Sequence, residues 1–302
     1  MLSQKESRSF LRKILQSPPP LPFEPTLLSA LFAVTQENST ASTNDVVALI
    51  EHSQKLAVRV LALANSAAYG QEREVVSLHR AVSIVGIREI RVLTVMVGMS
   101  SIIKGVKLPP NFDADVFWQH QLDVAAVAKA LAAELGGPSG VCGPSAREED
   151  RLCMAPDEAY VAGLLHDIGK VLFAANRPEL WEAVETLWKK NASQYWEAEN
   201  AYWGIDHALI SADVLHHWNL PILLTEPINW HHEPELAVAH KMEARLLAAA
   251  NRIAHSESGA EGALCPEVVS LLPEGADAAV LGEAAAHALA SVNVGTFAAF
   301  AE

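Results

Sequence analysis

The sequence predicts an all-α protein, and three observations support that prediction. Half of the 302 residues are apolar and only 19% are charged, which is the composition of a folded globular chain. Alanine and leucine dominate whereas Thr, Tyr and Phe are sparse, a balance that favours helices over strands. Apolar residues recur at helical spacing, and no segment alternates apolar and polar residues as a half-buried strand would. We therefore expect a helical bundle.

The first predicted block of helices ends at residue 110. Its opening stretch, MLSQKESRSFLRKILQ, has the pattern of an amphipathic helix, and the prolines at 18–20 separate it from the rest of the block. The segment VVALIEHSQKLAVRVLALANSAAYG has apolar residues at helical spacing and closes at Gly70. Ser77 is the predicted N-cap of the next helix, and Gly86 divides that helix from IREIRVLTVMVGMSSII.

The second block begins with acidic residues at 113–115, which suit a helix N-terminus. A turn-rich loop at 138–156 follows the first helix of this block, and loops of this length are often functional. The later predicted helices are Asp157–Phe173, Pro178–Lys190, Ser193–Trp203, Asp206–Trp218, Pro221–His231 and Pro234–His255. We therefore predict an N-terminal helical subdomain (1–110), a second helical subdomain (111–256) and acidic C-terminal helices (257–302).

Charge and cysteine content argue against several classes of protein. A formal net charge of −14 argues against non-specific binding to nucleic acid. Cys142, Cys153 and Cys265 form no CxxC pair, which indicates reduced thiols rather than a disulfide framework. The longest apolar run, residues 92–103, is too short to span a bilayer, and the N-terminus lacks the apolar run of a signal peptide. We expect a cytoplasmic protein that binds neither nucleic acid nor membrane.

Several of the twelve histidines fall at helix ends or along apolar helix faces. They are His120, His166 beside Asp167 in VAGLLHDIGK, His207, and the pair His231 and His232. Nitrogen and oxygen donors that converge from separate helices form metal sites in helical bundles. An adjacent His and Asp at a helix end can both reach one ion or bridge two. Gly169 would then allow a sharp exit of the chain, and Lys170 could offer its charge to a phosphate.

These motifs resemble those of a known superfamily. GLLHDIGK, with an upstream WxH, a downstream GxDH and a later HHE, resembles the HD superfamily of metal-dependent phosphohydrolases. LPFEPTLLSAL, LIEHSQKLAVRVLALANSAAYG and SLHRAVSIVGIREIRVL are similar, in the same order, to phrases of its HDOD branch, which consists of bacterial signalling or regulatory modules. The resemblance covers roughly residues 20–255 and implies an HD-like metal-binding subdomain after the N-terminal helices.

The resemblance also implies roles for individual residues. The implied metal ligands are His120, the HD pair His166 and Asp167, His207, and His231 with His232, the pair used by two-metal members. Asp167 and Lys170 would be the catalytic residues. Asn251 stands in AAANRIA where the family pattern has its closing aspartate, and an amide oxygen is a weaker ligand than a carboxylate. The GYP phrase that follows HHE in the cyclic-di-GMP phosphodiesterases is absent.

Each assignment has a structural alternative. His166 and Asp167 could complete a helix C-terminus, where His complements the helix dipole and Asp forms a turn. Lys170 could be a surface lysine, and one of two adjacent histidines often faces solvent. The histidines outside the motif are interpreted as structural: His52, His79, His216, His217, His240, His255 and His287.

Two functions follow from the resemblance. The favoured one is a regulatory module that binds a divalent metal, one or two ions of Fe, Mn, Ni or Zn rather than Mg. Such a module would have little or no catalytic activity and would act on a protein partner in a signalling pathway, with a nucleotide or phosphate as a further ligand. The alternative is a metal-dependent phosphohydrolase or phosphodiesterase acting on a nucleotide or another phosphoester.

Overall fold

A computed structural model of the chain describes residues 4–16, 25–34, 42–71, 73–136, 151–191, 194–256, 262 and 264–292. All regular elements in these ranges are helical and none is a strand, which confirms the all-α prediction. The α-helices are α1 (Gln4–Gln16), α2 (Pro25–Val34), α3 (Thr43–Glu51), α4 (Gln54–Ala64), α5 (Leu78–Val85), α6 (Ile87–Gly105), α7 (Ala114–Glu134), α8 (Pro156–Leu165), α9 (Ile168–Asn176), α10 (Pro178–Asn191), α11 (Tyr195–Trp203), α12 (His207–His217), α13 (Ile222–Trp230), α14 (Lys241–His255), α15 (Pro266–Val269) and α16 (Ala278–Ser291). None of these helices is long and apolar enough to cross a membrane.

The described residues fall into two compact units. The larger unit comprises residues 4–16, 106–216 and 222–292, and the smaller comprises residues 25–105 and 217–221, each without the gaps given above. Helix α1 lies in the larger unit, where the ring of Phe10 stacks on Phe173 at 5.5 Å and the Ser7 hydroxyl donates a hydrogen bond to the backbone oxygen of Trp203. The predicted division at residues 110 and 256 stays a prediction.

Turns in the smaller unit are held by side chain and backbone together. The Asn65 carboxamide pairs with the backbone of Val75, donating to its oxygen at 2.8 Å and accepting from its nitrogen at 2.7 Å. Gly70 ends the following turn with φ of 54°, as the sequence predicted. Ser77 occupies the predicted N-cap position of α5, but its side chain makes no capping hydrogen bond.

Helix α7 is central in the larger unit and packs against α8, α14 and α16. The approach of α8 to α7 depends on Gly163, where an added Cβ would lie 2.5 Å from the Cα of Ala125. Because nothing larger than glycine fits there, the two helices run almost in backbone contact. This packing brings His120 of α7 close to the C-terminal end of α8, where His166 follows.

Two of the predicted helices have different boundaries in the structure. The helix predicted over 157–173 is divided into α8 and α9, and His166 and Asp167 lie at the break. The helix predicted from Pro234 begins only at Lys241, after a 3-10 turn at Pro234–Leu236. Cys153 and Cys265 are free thiols. Cys142 and most of the predicted loop lie outside the described residues.

Candidate metal centre

The break between α8 and α9 places two ionisable side chains in the core of the larger unit. His166 and Asp167 both have side chains with no solvent exposure. The expectation that Gly169 makes a sharp exit is wrong, because Gly169 lies inside α9 and has no positive φ. Gly169 lacks a side chain for another reason: an added Cβ would lie 2.1 Å from the backbone oxygen of His207. Gly169 therefore lets α9 approach α12 and brings Asp167 to His207.

The carboxylate of Asp167 is the centre of a histidine cluster. Its Oδ2 atom lies 3.3 Å from Nε2 of His166 and 3.6 Å from Nε2 of His120. Its Oδ1 atom lies 2.8 Å from Nε2 of His207 and 3.7 Å from Nε2 of His231. Each oxygen therefore faces a different pair of histidines, and the four rings present the same nitrogen to one carboxylate.

Backbone carbonyls orient two of these rings. His166 Nδ1 lies 2.8 Å from the oxygen of Gly163, and His231 Nδ1 lies 2.7 Å from the oxygen of Ile228. A carbonyl can only accept, so Nδ1 carries the hydrogen and Nε2 keeps a free lone pair in the neutral ring. Both rings are thus fixed in the tautomer that binds a metal through Nε2.

Glu199 plays the corresponding part for His207, and sequence reasoning missed it. This carboxylate is fully buried in α11, and its Oε2 atom lies 2.5 Å from Nδ1 and 2.9 Å from the backbone nitrogen of His207. Burial acts to lower the pKa of His207, but the charges of Glu199 and Asp167 outweigh it and raise that pKa to about 9. The only sequence signal was an acidic residue in a helix eight positions before the GxDH histidine.

His232 completes a second group of donors. Its Nε2 atom lies 2.9 Å from Nε2 of His207, and its ring is 3.9 Å from that of His231. The donors therefore form two groups, each with ligand atoms within 4.8 Å of one another. The first group is His120, His166 and Asp167, and the second is His207, His231 and His232. All six donors predicted from the HD motifs are thus brought together.

The cluster contains buried polar atoms that make no hydrogen bond. Within the described residues, Nε2 of His120, His166 and His231 and Oδ1 of Asn251 accept and donate no hydrogen bond. Buried polar atoms are almost always paired, and an unpaired one costs about 1–3 kcal/mol. A cation would satisfy these lone pairs, and imidazole with carboxylate suits transition metals. The donor set therefore fits a divalent metal.

Burial adjusts the protonation of the cluster. Burial is the largest cause that holds the pKa of His120, His231 and His232 well below its ordinary value, so these rings are neutral at pH 7. Burial would raise the pKa of Asp167, but the charges of His166, Lys170 and His207 outweigh it and hold that pKa well below its usual value. Three neutral imidazoles and an ionised carboxylate are the protonation states that a metal requires, whereas His207, with its raised pKa, would release a proton when a metal binds.

Lys170 is neither exposed nor at a helix exit. It lies in the first turn of α9, and its Nζ atom is 2.5 Å from Oδ2 of Asp167. The same ammonium lies over the ring of Tyr195, 5.5 Å from its centroid. The structure therefore pairs Lys170 with the carboxylate at the centre of the cluster.

Helix α14 contributes two residues to the wall of the site. Asn251 is 9% exposed, and four residues later His255 stacks on His120 with ring centroids 4.3 Å apart. His255, interpreted from the sequence as structural, lines the same cavity as His120. The spacing of four residues from Asn251, one helical turn, was the signal that could have identified it.

A cavity of about 910 Å³ opens over the cluster. Its lining includes residues of both donor groups, Lys170 and Asn251, and a set of aromatic side chains from α7, α10 and α11. This volume lies in the range of small-molecule sites, about 300–1,000 Å³. The cluster is therefore open to a ligand.

The chain combines an all-α fold with a buried His-Asp pair at a helix break. The HDOD domain model matches residues 21–234, and the chain belongs to the HDOD family. A relative in Treponema pallidum (strain Nichols), an uncharacterized protein, is 27% identical over 211 residues. That match covers 69% of this chain but only 37% of the Treponema protein.

Solved structures have the same fold. An HDOD domain protein of unknown function from Geobacter sulfurreducens is 24% identical with a TM-score of 0.70, and 99% of each chain is covered. A provisionally named phosphohydrolase from Shewanella amazonensis SB2B is 24% identical with a TM-score of 0.66, covering 92% of this chain and 94% of the other. A provisionally named signal transduction protein from Marinobacter aquaeolei VT8 is 21% identical with a TM-score of 0.70, covering 98% of this chain and 65% of the other.

Proposed function

We propose that this chain is a regulatory module that binds a divalent metal at the HD-like cluster and has little or no catalytic activity. The observation that carries the proposal is the buried carboxylate of Asp167, whose two oxygens each face a separate pair of histidine nitrogens. A carboxylate in that position can bind one ion or bridge two. The signalling role rests on membership of the HDOD family, and the proposed partner is a protein in a signalling pathway.

The donors would divide between two positions. His120 and His166 would bind an ion on the Oδ2 side of Asp167, and His207, His231 and His232 would bind one on the Oδ1 side. Three nitrogens and an oxygen suit Fe, Mn, Ni or Zn better than Mg, which prefers oxygen ligands. A bound ion would supply Lewis acidity toward a phosphoryl oxygen. The protein's own part is to hold the rings in the binding tautomer.

The proposal of little catalysis rests on the charge of the cluster. Asp167 is the single carboxylate in the two donor groups, and Lys170 already pairs with it at 2.5 Å. Asn251 faces the same cavity with an uncharged amide, where the family pattern has an aspartate. With one negative charge missing, the site would hold an ion less tightly and would place a second ion less well.

The alternative is a phosphohydrolase, and one observation favours it. The cavity beside the donors is large enough for a phosphoester, and its lining includes the cations of Lys170 and Arg252. In such an enzyme Lys170 would leave Asp167 for a phosphoryl oxygen and stabilise its developing charge. Turnover of a phosphodiester therefore separates the two functions.

Elemental analysis of purified protein tests the metal proposal. We expect near-stoichiometric metal after reconstitution with Mn²⁺ or Fe²⁺, and its loss in His166→Ala. His216→Ala is the matched control, because His216 is an exposed histidine of α12 outside the cluster. A parent protein that stays metal-free, or a His166→Ala variant that keeps its metal, would refute the proposed site.

Turnover assays test the proposed lack of catalysis. We expect at most slow hydrolysis of bis(p-nitrophenyl) phosphate by the metal-loaded protein and a gain on Asn251→Asp, since that change restores a carboxylate. Robust hydrolysis by the parent protein that disappears in His166→Ala would show an enzyme instead. Equal metal content in parent and Asn251→Asp proteins would separate an effect on chemistry from one on binding.

A further inference from the structure

One wall of the cavity is a continuous set of aromatic rings. Trp181 lies 5.3 Å from Phe112 and 5.7 Å from Tyr195, and Tyr195 lies 5.4 Å from Trp188, all measured between ring centroids. Trp181 is buried, whereas Phe112 and Tyr195 are half-buried and Trp188 is 37% exposed. All four line the cavity. Phe112, Tyr195 and Trp188 therefore keep ring surface exposed at the cavity, whereas Trp181 belongs to the core.

The aromatic wall meets the metal donors at one end. Trp196 stacks on His232 with centroids 5.6 Å apart and an interplanar angle of 14°. The ring of Tyr195 lies 6.4 Å from that of His207, and Lys170 lies over Tyr195. A ligand bound at the metal donors could therefore also contact the aromatic rings of Tyr195 and Trp196.

The charges of the cavity limit what that ligand can carry. Apart from the donor cluster, three carboxylates line the cavity, on Asp113, Glu185 and Glu267. Lys170 is paired with Asp167, and Arg252 donates to the backbone oxygen of Glu267 at 3.1 Å. One phosphate can be neutralised at the donor end, but a chain of phosphates would add negative charge to a cavity that already contains Asp113 and Glu267, and Glu185 paired with Lys189 at 3.1 Å. Like charges in a confined site repel strongly.

We propose that this cavity binds a small ligand with one planar ring system and one phosphate, as in a nucleoside monophosphate. The phosphate lies at the donor cluster beside Lys170, and the ring lies against the aromatic wall at Tyr195 and Trp188. The phosphate half of this inference rests on the proposed metal site, whereas the ring half does not.

Binding of four probes to the Mn²⁺-loaded protein tests the inference. The probes are adenosine 5′-monophosphate, ribose 5-phosphate, adenosine and ATP. Their affinities are measured by calorimetry and by quenching of tryptophan fluorescence. We expect the monophosphate to bind about tenfold or more tighter than ribose 5-phosphate, since stacking on an aromatic side chain contributes that much. We also expect ATP to bind more weakly than the monophosphate. O-phosphotyrosine in a parallel titration distinguishes a nucleotide from a phosphorylated phenyl ring.

Variants assign the ring to the wall. Trp188→Leu should lower affinity for adenosine 5′-monophosphate about tenfold and leave ribose 5-phosphate unchanged. Tyr202→Leu is the matched control, because Tyr202 is a half-buried aromatic residue of α11 that does not line the cavity. Equal affinities for the monophosphate and ribose 5-phosphate, or equal losses in both variants, would overturn the ring assignment. Tighter binding of ATP would overturn the single phosphate.

Adenosine separates this inference from the metal proposal. We expect adenosine to quench tryptophan fluorescence equally in the Mn²⁺-loaded and the metal-free parent protein, and to bind more weakly to Trp188→Leu than to Tyr202→Leu. If the protein binds no metal but adenosine still binds through Trp188, the metal proposal fails and the aromatic subsite stands. If metal binds but adenosine and its monophosphate do not, the inference is overturned and the metal proposal stands.

Discussion

Replacing Gly169 with alanine tests the contact that joins the HD pair to the rest of the cluster. In an ordinary helix this change stabilises by about 1 kcal/mol, because glycine has the greater unfolded-state freedom. Here the added Cβ would lie 2.1 Å from the backbone oxygen of His207 and 2.9 Å from the hydroxyl of Ser211. Since an ordinary carbon–oxygen contact is about 3.3 Å, α9 and α12 would have to separate by about 1.2 Å.

The free energy of this separation can be worked out from its parts. Overpacking against backbone costs about 1–3 kcal/mol. Separation would also weaken the 2.9 Å hydrogen bond from the Gly169 nitrogen to Ser211, which contributes about 1 kcal/mol. After the gain of about 1 kcal/mol in helix propensity, we expect Gly169→Ala to lower the free energy of unfolding by about 1–3 kcal/mol.

Urea unfolding followed by circular dichroism measures this change. Gly105→Ala is the matched control, because Gly105 ends α6 and an added Cβ there would meet nothing within 4 Å. The control should be as stable as the parent protein or slightly more so. Gly169→Ala should also bind less metal under native conditions, because His207 moves away from Asp167. A Gly169→Ala protein with parental stability and metal content would refute the reasoning.

Three further predictions concern carboxylates that bond to backbone or to a ligand histidine. Glu199→Ala should weaken metal binding about 10–100-fold in a chelator competition, because the ring of His207 loses the carboxylate that orients it. Unchanged metal affinity would contradict this orienting role of Glu199. Glu226→Ala should lower the free energy of unfolding by about 1–3 kcal/mol, because the carboxylate accepts from three backbone nitrogens in the loop before α14; an unchanged urea midpoint would contradict it. Asp45, whose pKa is lowered by hydrogen bonds from Ser42, should stabilise the cap of α3 fully above pH 3.8 and lose that effect as pH falls further. Asp45→Asn should remove this part of the pH dependence of the urea midpoint, and an identical profile would contradict it.

The residues of the site that the sequence could predict are those within a local motif. His120, His207 and His231 each occur in a short sequence motif at or near a helix end, so they could be identified from the sequence alone. Glu199 could not, because its role depends on packing α11 against the start of α12. His255 was missed for a similar reason: only the contact between α7 and α14 brings it onto His120.

The fold was predictable where an apolar helical period ends at a residue that stops a helix. The α4 segment and its Gly70 turn are examples, since both are determined by spacing and by a residue that adopts positive φ. The break at His166 fell inside the helix predicted over 157–173, because the apolar residues continue from α8 into α9 without a proline, although the adjacent His and Asp had themselves indicated a helix end. Gly169 was predicted to be a turn residue because glycine often ends a helix. A glycine is required there because the backbone of His207 approaches closely.

The metal-to-protein ratio of Asp167→Asn tests whether the buried carboxylate of Asp167 holds the metal. An amide at this position keeps the shape of the side chain but removes the charge that faces both histidine pairs. We expect the parent protein to hold at least one equivalent of divalent metal and Asp167→Asn to hold almost none. Asp213→Asn, on α12 and outside the cluster, should match the parent. Full metal content in Asp167→Asn, or none in the parent after reconstitution, would contradict the account.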